Sequence, residues 1–482
     1  MDADEIRRAF LGFLAERGHT VIPRARLTPE DDPTTLFTGS GMQPLLPYLL
    51  GADHPAGNRL ADSQTCLRVQ DIEEVGDNRH TTFFEMLGSW SLGDYFKEVQ
   101  IPQFWTFLTE KVGLDPDRLY VSCFSGDPAH GIPKDEETAA IWQGLFEAAG
   151  MTAGQVDVGT DEHASQVGTG DARIVFYGAS NWWTRAEGAE HMPVGEPGGP
   201  DSEVFYLFPH VEHDPAHGAR CHPNCDCGRF IELGNSVFME YRRTDTGFEP
   251  LPRRVVDYGG GLERIAAAAL DTSDVFRISL LRPIIERLES LSGRSYADET
   301  HAMRVIADHL RGATFLAVDG VRPANKAQGY VLRRLVRRAV RYAFALGIEE
   351  NFLPEIIGTI ARVYATDYPE VAQHADDVIA VLAKEEHAFR RTLRRGLAQL
   401  RGHLHNGATG IDLFVLHDTY GFPVELSTEE ASRLGVPLSP TWRAEFDEQM
   451  AAQRARSRGE LAAGSTRATV PTVPTVPTGP AG

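Results

Sequence analysis

The sequence predicts an α+β protein: an antiparallel β-sheet with flanking helices over residues 1–275, a mainly α-helical domain over 276–460, and a tail over 461–482. Three observations carry this. Two β-prone runs within Gln64–Lys97 (QTCLRVQDIEEVGDNRHTTFFEMLGSWSLGDYFK) enclose a polar Gly76-Asp77-Asn78 loop, the pattern of an antiparallel hairpin with a long connection. From about Leu280 to Arg456 the pattern changes to apolar residues at helical spacing. The last residues repeat Thr-Val-Pro, which forms neither helix nor packed core, so a disordered tail is expected.

The chain has 482 residues and 42% hydrophobic composition, enough for two or three domains with real cores. It opens MDADEIRRAF, acidic and without the apolar region of a secretory signal. No run approaches the length that spans a bilayer, so a soluble, cytoplasmic protein without membrane partners is expected. Five Cys, three of them clustered, make no disulfide framework and suit a reducing compartment. A net charge of −21 argues against indiscriminate nucleic-acid binding, so any basic face must be local.

In chain order, residues 3–17 place Ile6, Phe10, Leu11 and Leu14 on one helical stripe ended by Gly18. Pro23, Pro29 and Pro33 keep the next stretch extended, and TTLFT reads as a short strand. In the hairpin, Arg68 closes the first strand, Arg79 and His80 open the second, and Phe83-Phe84 follow. A guanidinium beside an aromatic face suits a phosphate joined to a flat base; a surface Arg with two core Phe is the alternative. VQIPQFWTFLTEKVG is then a helix, RLYVSCF a strand, DEETAAIWQGLFEAAG a helix with acids at its positive end, and RIVFYG a strand. Asn181, Trp182 and Trp183 lie at that strand's end, as ligand contacts or core anchors. Gly and Pro mark 186–201 as a loop.

FIELGNSVFMEY reads as one long strand in which Glu232 and Asn235 need partners. The run VVDYGGGLERI reads as a strand, a glycine turn over Gly259–Gly261, and a helix from near Leu262. Arg264 in that helix's first turn opposes the macrodipole, which makes more sense if a phosphate or carboxylate neutralises it. Cys221, Cys225 and Cys227, with His210, His213, His217 and His222 nearby, could bind zinc or stay reduced thiols. In the helical half, Arg333, Arg334, Arg337, Arg338 and Arg341 recur at spacings of three and four, predicting a basic stripe for a polyanion. LFVLHDTYGFPVEL reads as an ordered loop between strand-like ends.

Eight ordered blocks, among them DDPTTLFTGSGM, RHTTFFEMLGSWSLGDYFK, CDCGRFIELGNSVFMEY, VVDYGGGLERI, GYVLRRLVRRAVR and HDTYGFP, give the chain a resemblance. Over residues 1–460 it resembles the N-terminal part of the alanyl-tRNA synthetases, class II aminoacyl-tRNA synthetases. The resemblance implies the class II antiparallel sheet, ATP with Mg2+, L-alanine, and an alanine tRNA. It implies that Arg68 bridges the α-phosphate and the substrate carboxylate, which a Lys would do poorly. Arg79 is implied near ATP, Phe84 stacked on adenine, Arg264 near the γ-phosphate, and Glu232 at magnesium. Asp257 matches the partner of the substrate ammonium, making Arg68, Arg264 and Asp257 the implied catalytic set. Trp183, Asn235, Val237 and Gly259 match the pocket for a methyl side chain.

The same resemblance implies that Asn325 and Asp418 read the G·U pair of the acceptor stem, with Arg333, Arg334, Arg337 and Arg338 on its phosphates. Family members carry an editing domain that this chain is expected to stop short of, implying a separate editing protein as partner. The chain departs from the family at Gly198, where Cys is common, and at Tyr258 and Gly260, where Thr and Met are usual. Its 70–78 loop is also short and lacks a common Lys. Two competing readings are a paralogue that hands a small aminoacyl-adenylate to a carrier protein, and an inactive tRNA-binding module. Arg68, Asp257 and Arg264 argue against the second, and Asn325 and Asp418 against the first.

Overall fold

The first helix shows how local signals set the frame. Asp2 caps α1 (Ala3–Ala15) and Glu5 completes a capping box, so the first turn's free N–H groups are satisfied. Its buried face carries Ile6, Phe10, Phe13 and Leu14, and also Arg7, whose charge must be answered inside the protein. The computed structural model describes residues 1–29, 35–185, 188–402, 407–419 and 422–465. The chain divides into two compact units, Met1–Glu386 and His387–Gly482.

The first unit is built on a sheet of strands β1 (Thr20–Val21), β2 (Arg59–Leu67), β3 (Phe83–Leu92), β4 (Leu119–Phe124), β5 (Gly154–Gly159), β6 (Ala172–Tyr177), β7 (Trp182–Trp183), β8 (Pro197–Leu207), β9 (Phe230–Thr244) and β10 (Gly247–Gly261). Their spatial order is β1-β2-β3-β10-β9-β8-β4-β6-β5, with β7 paired to β8. The central pairs β2–β3, β3–β10, β10–β9, β9–β8 and β8–β4 are antiparallel. The expected hairpin is present, with Leu67 opposite Phe83 and the Arg68 N–H bonded to the Thr82 carbonyl at 2.8 Å.

The helices α2 (Leu46–Leu49), α3 (Lys97–Thr106), α4 (Glu136–Ala148), α5 (Asp161–Val167) and α6 (Leu262–Ala269) flank these strands in sequence. There follow α7 (Arg282–Ser292), α8 (Thr300–Val318), α9 (Ala327–Ala345), α10 (Leu353–Tyr364) and α11 (Pro369–Gln373). The boundary expected near 275 falls inside this unit, and α8 binds the sheet directly. Asp308 accepts from the Thr82 N–H at 2.9 Å, and Phe315 stacks on Phe83 with ring centres 4.6 Å apart. Beneath the sheet, Glu85 takes two 2.7 Å bonds from Arg7, one from the Tyr368 hydroxyl at 2.8 Å and one from the Ser63 hydroxyl at 3.1 Å. Glu263 accepts from the Glu85 N–H and pairs with Arg311 at 2.9 Å.

Three local expectations are corrected. Gly259–Gly261 is no turn; it is the end of β10, paired to β3 and β9, and α6 starts at the next residue. The glycines are there because neighbours lie across them: a Cβ on Gly259 would sit 2.8 Å from Met86 Sδ, and one on Gly234 2.9 Å from Gly260 Cα. β8 already begins at Pro197 within the expected 186–201 loop, with Gly199 so close to β9 that a Cβ would fall 1.9 Å from the Phe238 carbonyl oxygen. Residues 35–38 of TTLFT form no strand.

α12 (Ala375–Gly402) leads into the second unit, which contains α13 (Gly410–Asp418), α14 (Val424–Leu434) and α15 (Trp442–Ser465). LFVLHDTYGFPVEL is therefore helical at both ends rather than strand-like. Thr409 caps α13 and forms a capping box with Asp412, and that local start decides what the short apolar run becomes. The tail expected over 461–482 begins inside α15, which takes in 461–465, and lies outside the described residues from 466 on. Among the described residues no helix is long and apolar enough to cross a membrane.

Candidate active site

Strand alternation sends Phe83 and Glu85 into the protein and leaves Phe84 and Met86 half-buried on the opposite face, above a cavity. The two phenylalanines of the hairpin thus have different roles: Phe83 is core and Phe84 is wall. The Arg68 guanidinium stacks 4.9 Å from the Phe84 ring centre, and its Nε donates to the Gly39 carbonyl at 3.1 Å. Across the cavity, Arg264 lies along Gly261 and pairs with Glu232 at 2.7 Å. The carboxylate needed to offset Arg264 at its helix start therefore comes from β9. Arg79 comes from the hairpin loop and donates to the Asp226 carbonyl at 2.7 Å and carboxylate at 3.0 Å. Arg68, Arg79, Phe84, Glu232, Gly259 and Arg264 all line this one cavity.

Glu232 and Asn235 are three apart on one strand, where strict alternation would put them on opposite faces. The β8–β9 register shifts between Val204 and Phe205, so that Val204 faces Gly234 and Phe205 faces Glu232. That irregularity turns Glu232 to the cavity, a common use of a bulge beside a site. An adjoining cavity of about 300 Å3 shares Arg79, His80, Glu232 and Arg264 and adds Glu203 and Asp226. Glu203, half-buried in that wall, takes a 3.1 Å bond from the Ser122 hydroxyl. Its carboxyl is pushed well above the usual range by desolvation and then by the charges of Glu232 and Asp201.

Further along the same face, Asp257 and Gly259 on β10 stand directly opposite Val237 and Asn235 on β9. Asp257 is buried, accepts from Trp90 Nε1 at 2.7 Å, and is pushed up to about 7 by burial, against the lowering effect of that bond. Trp183 packs against the core cluster holding Trp90 and Val237. Asn235 and Asn181 both bond the buried Asp201, with Asn181 Nδ2 at 2.8 Å, and burial pushes Asp201 up to about 7. Asp62 faces Gly88 across β3; its buried Oδ1 has no partner, and burial followed by the charge of Asp257 raises its pKa well above the ordinary value. The structure thus brings together the sequence-predicted ATP and amino-acid residues on one sheet face. Sequence reading missed Asp62, Trp90, Asp201 and Glu203. Asp62 keeps phase with Gln64, and Asp201 and Glu203 alternate in β8, but the 186–201 loop assignment covers Asp201.

The family model for class II (A) tRNA synthetases matches residues 5–476. The chain belongs to this family. It is 41% identical over 474 residues to the alanine–tRNA ligase of Treponema pallidum, covering 95% of this chain and 72% of that one. The corresponding enzyme of Borrelia hermsii is 38% identical over 463 residues, covering 93% of this chain and 72% of the relative. The alanine–tRNA ligase of Rubrobacter xylanophilus is 38% identical over 482 residues, covering 96% of this chain and half of that protein. The expected fold class therefore holds: an antiparallel-dominated class II synthetase sheet with helices around it.

In this class II synthetase the arginines of α9 do not form one exposed basic stripe. Arg338 and Arg341 are buried. Arg338 donates to the Ile72 carbonyl at 2.5 Å and meets His309 at 3.0 Å. Arg337 and Arg333 share Glu385 at 2.7 and 3.3 Å, and Arg334 pairs with Glu73. The acids come from distant segments, so a run without intervening acids is nonetheless neutralised in the fold. Asn325 is exposed and accepts from Arg333. Asp418 is exposed at the C-terminal end of α13 and accepts from Gln453 at 2.8 Å. Cys221, Cys225 and Cys227 converge, and of the four nearby histidines His213 joins them.

Proposed function

We propose that this chain is an alanine–tRNA ligase that activates L-alanine with ATP and transfers it to the 3′ end of alanine tRNA. The observation that carries this reading is the convergence of Arg68, Arg79, Phe84, Glu232 and Arg264 on one cavity, with Asp257 on the same sheet face. In the first step an oxygen of the alanine carboxylate attacks the α-phosphorus and pyrophosphate leaves, giving alanyl-adenylate. In the second, a hydroxyl of the terminal ribose attacks the alanyl carbonyl and AMP leaves. Arg68 spans the carboxylate and the α-phosphate, holding the reacting atoms together and neutralising charge as it builds. Phe84, already carrying the Arg68 guanidinium near its ring, offers adenine a stacking surface. Arg79 and Arg264, held by Asp226 and Glu232, close over the outer phosphates.

Glu203 and Glu232 fit a magnesium ion: two carboxylates share one wall and the charge of Glu232 raises the cost of ionising Glu203. When bound with ATP, Mg2+ neutralises phosphate charge and favours departure of pyrophosphate. Asp257 receives the alanine ammonium, while Trp183, Asn235, Val237 and Gly259 bound a space for one methyl group. Residues 1–275 form the aminoacylation part and 276–460 the acceptor-stem part, with Asn325 and Asp418 reading the G·U pair. An acid at a helix C-terminus opposes the macrodipole, so the position of Asp418 favours a role in recognition over one in stability. Arg333, Arg334, Arg337 and Arg338 reach phosphates only by exchanging their present carboxylate and carbonyl partners.

Alanine-dependent exchange of pyrophosphate into ATP separates an active enzyme from an inactive binding module. Charging of alanine tRNA with and without the G·U pair separates a tRNA ligase from a carrier-directed adenylating enzyme. Exchange without charging of the wild-type tRNA would overturn the proposal.

A further inference from the structure

The long connection from β8 to β9, residues 208–229, has no strand or α-helix of its own, only a short 3-10 turn at Pro215–His217. A loop of that length needs something to hold its shape. Inside it, His213, Cys221, Cys225 and Cys227 bring one ligand atom each to within 4.8 Å of all the others. Cys221 Sγ and Cys227 Sγ are 3.6 Å apart, and Cys225 Sγ is 3.7 Å from His213 Nδ1. Zinc bound at about 2.3 Å to sulfur and about 2.0 Å to nitrogen sets tetrahedral corners about 3.5 to 3.8 Å apart, which is what these pairs show. The other ring nitrogen of His213, Nε2, lies 2.9 Å from the Gly218 carbonyl oxygen. That bond places the ring proton on Nε2 and leaves the Nδ1 lone pair facing the thiols, the arrangement of a metal-bound histidine. His222 is turned away to the Tyr177 hydroxyl at 3.0 Å, and His210 and His217 are exposed.

We propose that His213, Cys221, Cys225 and Cys227 bind one structural zinc ion that shapes the 208–229 loop and thereby positions Arg79. With three thiolates and one imidazole the site is closed, leaving no open position for chemistry. Its reach to the cavity is short. Asp226 lies between two ligands, Cys225 and Cys227, and its carbonyl and carboxylate both hold Arg79, which also pairs with Asp77 at 3.9 Å. Asn224, Cys225 and Asp226 also wall the cavity beside Glu232 and Arg264. The metal claim stands on the loop alone; its effect on Arg79 rests on the ATP reading above.

Metal analysis of the full chain, purified from zinc-replete cells and dialysed against a weak chelator, is expected to give one zinc per chain. Cys227→Ser and His213→Ala lose it, while His210→Ala and His217→Ala keep it. Cobalt exchanged into the wild-type protein should show the strong visible bands of tetrahedral thiolate coordination, a readout that stands even if the ligand variants fail to fold. In pyrophosphate exchange, Asp226→Ala is expected to raise the KM for ATP about tenfold with little change in the KM for alanine. A metal-free protein carrying a Cys221–Cys227 disulfide, or zinc content unchanged in both ligand variants, would overturn the site. Full zinc with an unmoved KM for ATP in Asp226→Ala would overturn the positioning role alone.

Discussion

Replacing Asp257 by Asn should make this protein more stable and less active, and the stability gain should grow with pH. Asp257 is buried, and its carboxyl is pushed to about 7 from an ordinary 3.8, chiefly by that burial. Between those two values the folded state keeps a proton that the unfolded chain has released. Stability is therefore lost as pH rises from about 4 to about 7 and is flat above. At about 1.4 kcal/mol per pH unit, the full cost of carrying this ionised carboxylate is about 4 kcal/mol. Asp257→Asn removes the titration but keeps an oxygen to accept from Trp90 Nε1. Asp201 and Glu203 titrate alike in both proteins, whereas Asp62, raised in part by the charge of Asp257, titrates lower in the variant and adds to its advantage. Urea unfolding of parent and variant, followed by tryptophan fluorescence, should show near-equal stability at pH 4 and a variant advantage that widens by about 2 kcal/mol between pH 5 and pH 7. The variant should also lose alanine-dependent pyrophosphate exchange. A variant less stable than the parent at pH 8, or a difference independent of pH, would refute the reasoning.

The same carboxyl sets the pH dependence of substrate use. With the ionised form as the proposed partner of the alanine ammonium, the KM for alanine should fall about tenfold per pH unit as pH rises toward about 7 and then level, and a flat profile over pH 5.5–7 would count against Asp257 in that role. Phe84→Ala should raise the KM for ATP roughly tenfold, the value of one base–aromatic stack, while leaving the KM for alanine nearly unmoved. Arg7→Ala strands the buried Glu85, both of whose oxygens Arg7 holds at 2.7 Å, and should cost about 3–5 kcal/mol in urea unfolding; a loss below about 1 kcal/mol would mean that Arg311 and Tyr368 suffice.

What could be read from the sequence was what local physics controls. The hairpin announces itself because alternation and a Gly-Asp-Asn loop are near-neighbour patterns, and α8 and α9 because their apolar spacing runs over many turns. Which of Phe83 and Phe84 faces the cavity is a matter of what lies across the sheet, and only the fold decides it. The glycines of β10 read as a turn because glycine weakens strands; in the fold a Cβ on Gly259 would meet Met86 of β3, one on Gly260 the Tyr258 hydroxyl, and one on Gly261 the Arg264 side chain. The α9 arginines read as a free stripe because Glu73 and Glu385 lie far off in the chain. Spacing could not choose among four histidines for the cysteine cluster, whereas the fold brings in only His213. Thr409 and Asp412 spell a capping box ahead of α13, a helix-start signal local enough to outweigh the strand-like look of the apolar run behind it.

The unusual expense of this sheet face becomes intelligible through its polarity. Asp62, Asp201 and Asp257 are buried acids on β2, β8 and β10 of one sheet, and Glu203 joins them at the cavity wall; all four are pushed up by desolvation. One of them, Asp62, even has an oxygen with no partner. A core built for stability alone would fill those positions with apolar side chains. The guanidinium groups of Arg68, Arg79 and Arg264 gather instead around Phe84 and Glu232. A substrate spanning such a face can lie only one way, with its anionic groups among the arginines and its cation toward Asp257. For an α-amino acid the proposed arrangement puts the carboxylate at Arg68, where a bound α-phosphate would meet it, and keeps the amine from competing as the nucleophile. On the proposed reading, an ammonium among these acids offsets the cost of ionising them, so binding energy at one end of a very small substrate orients the reaction at the other.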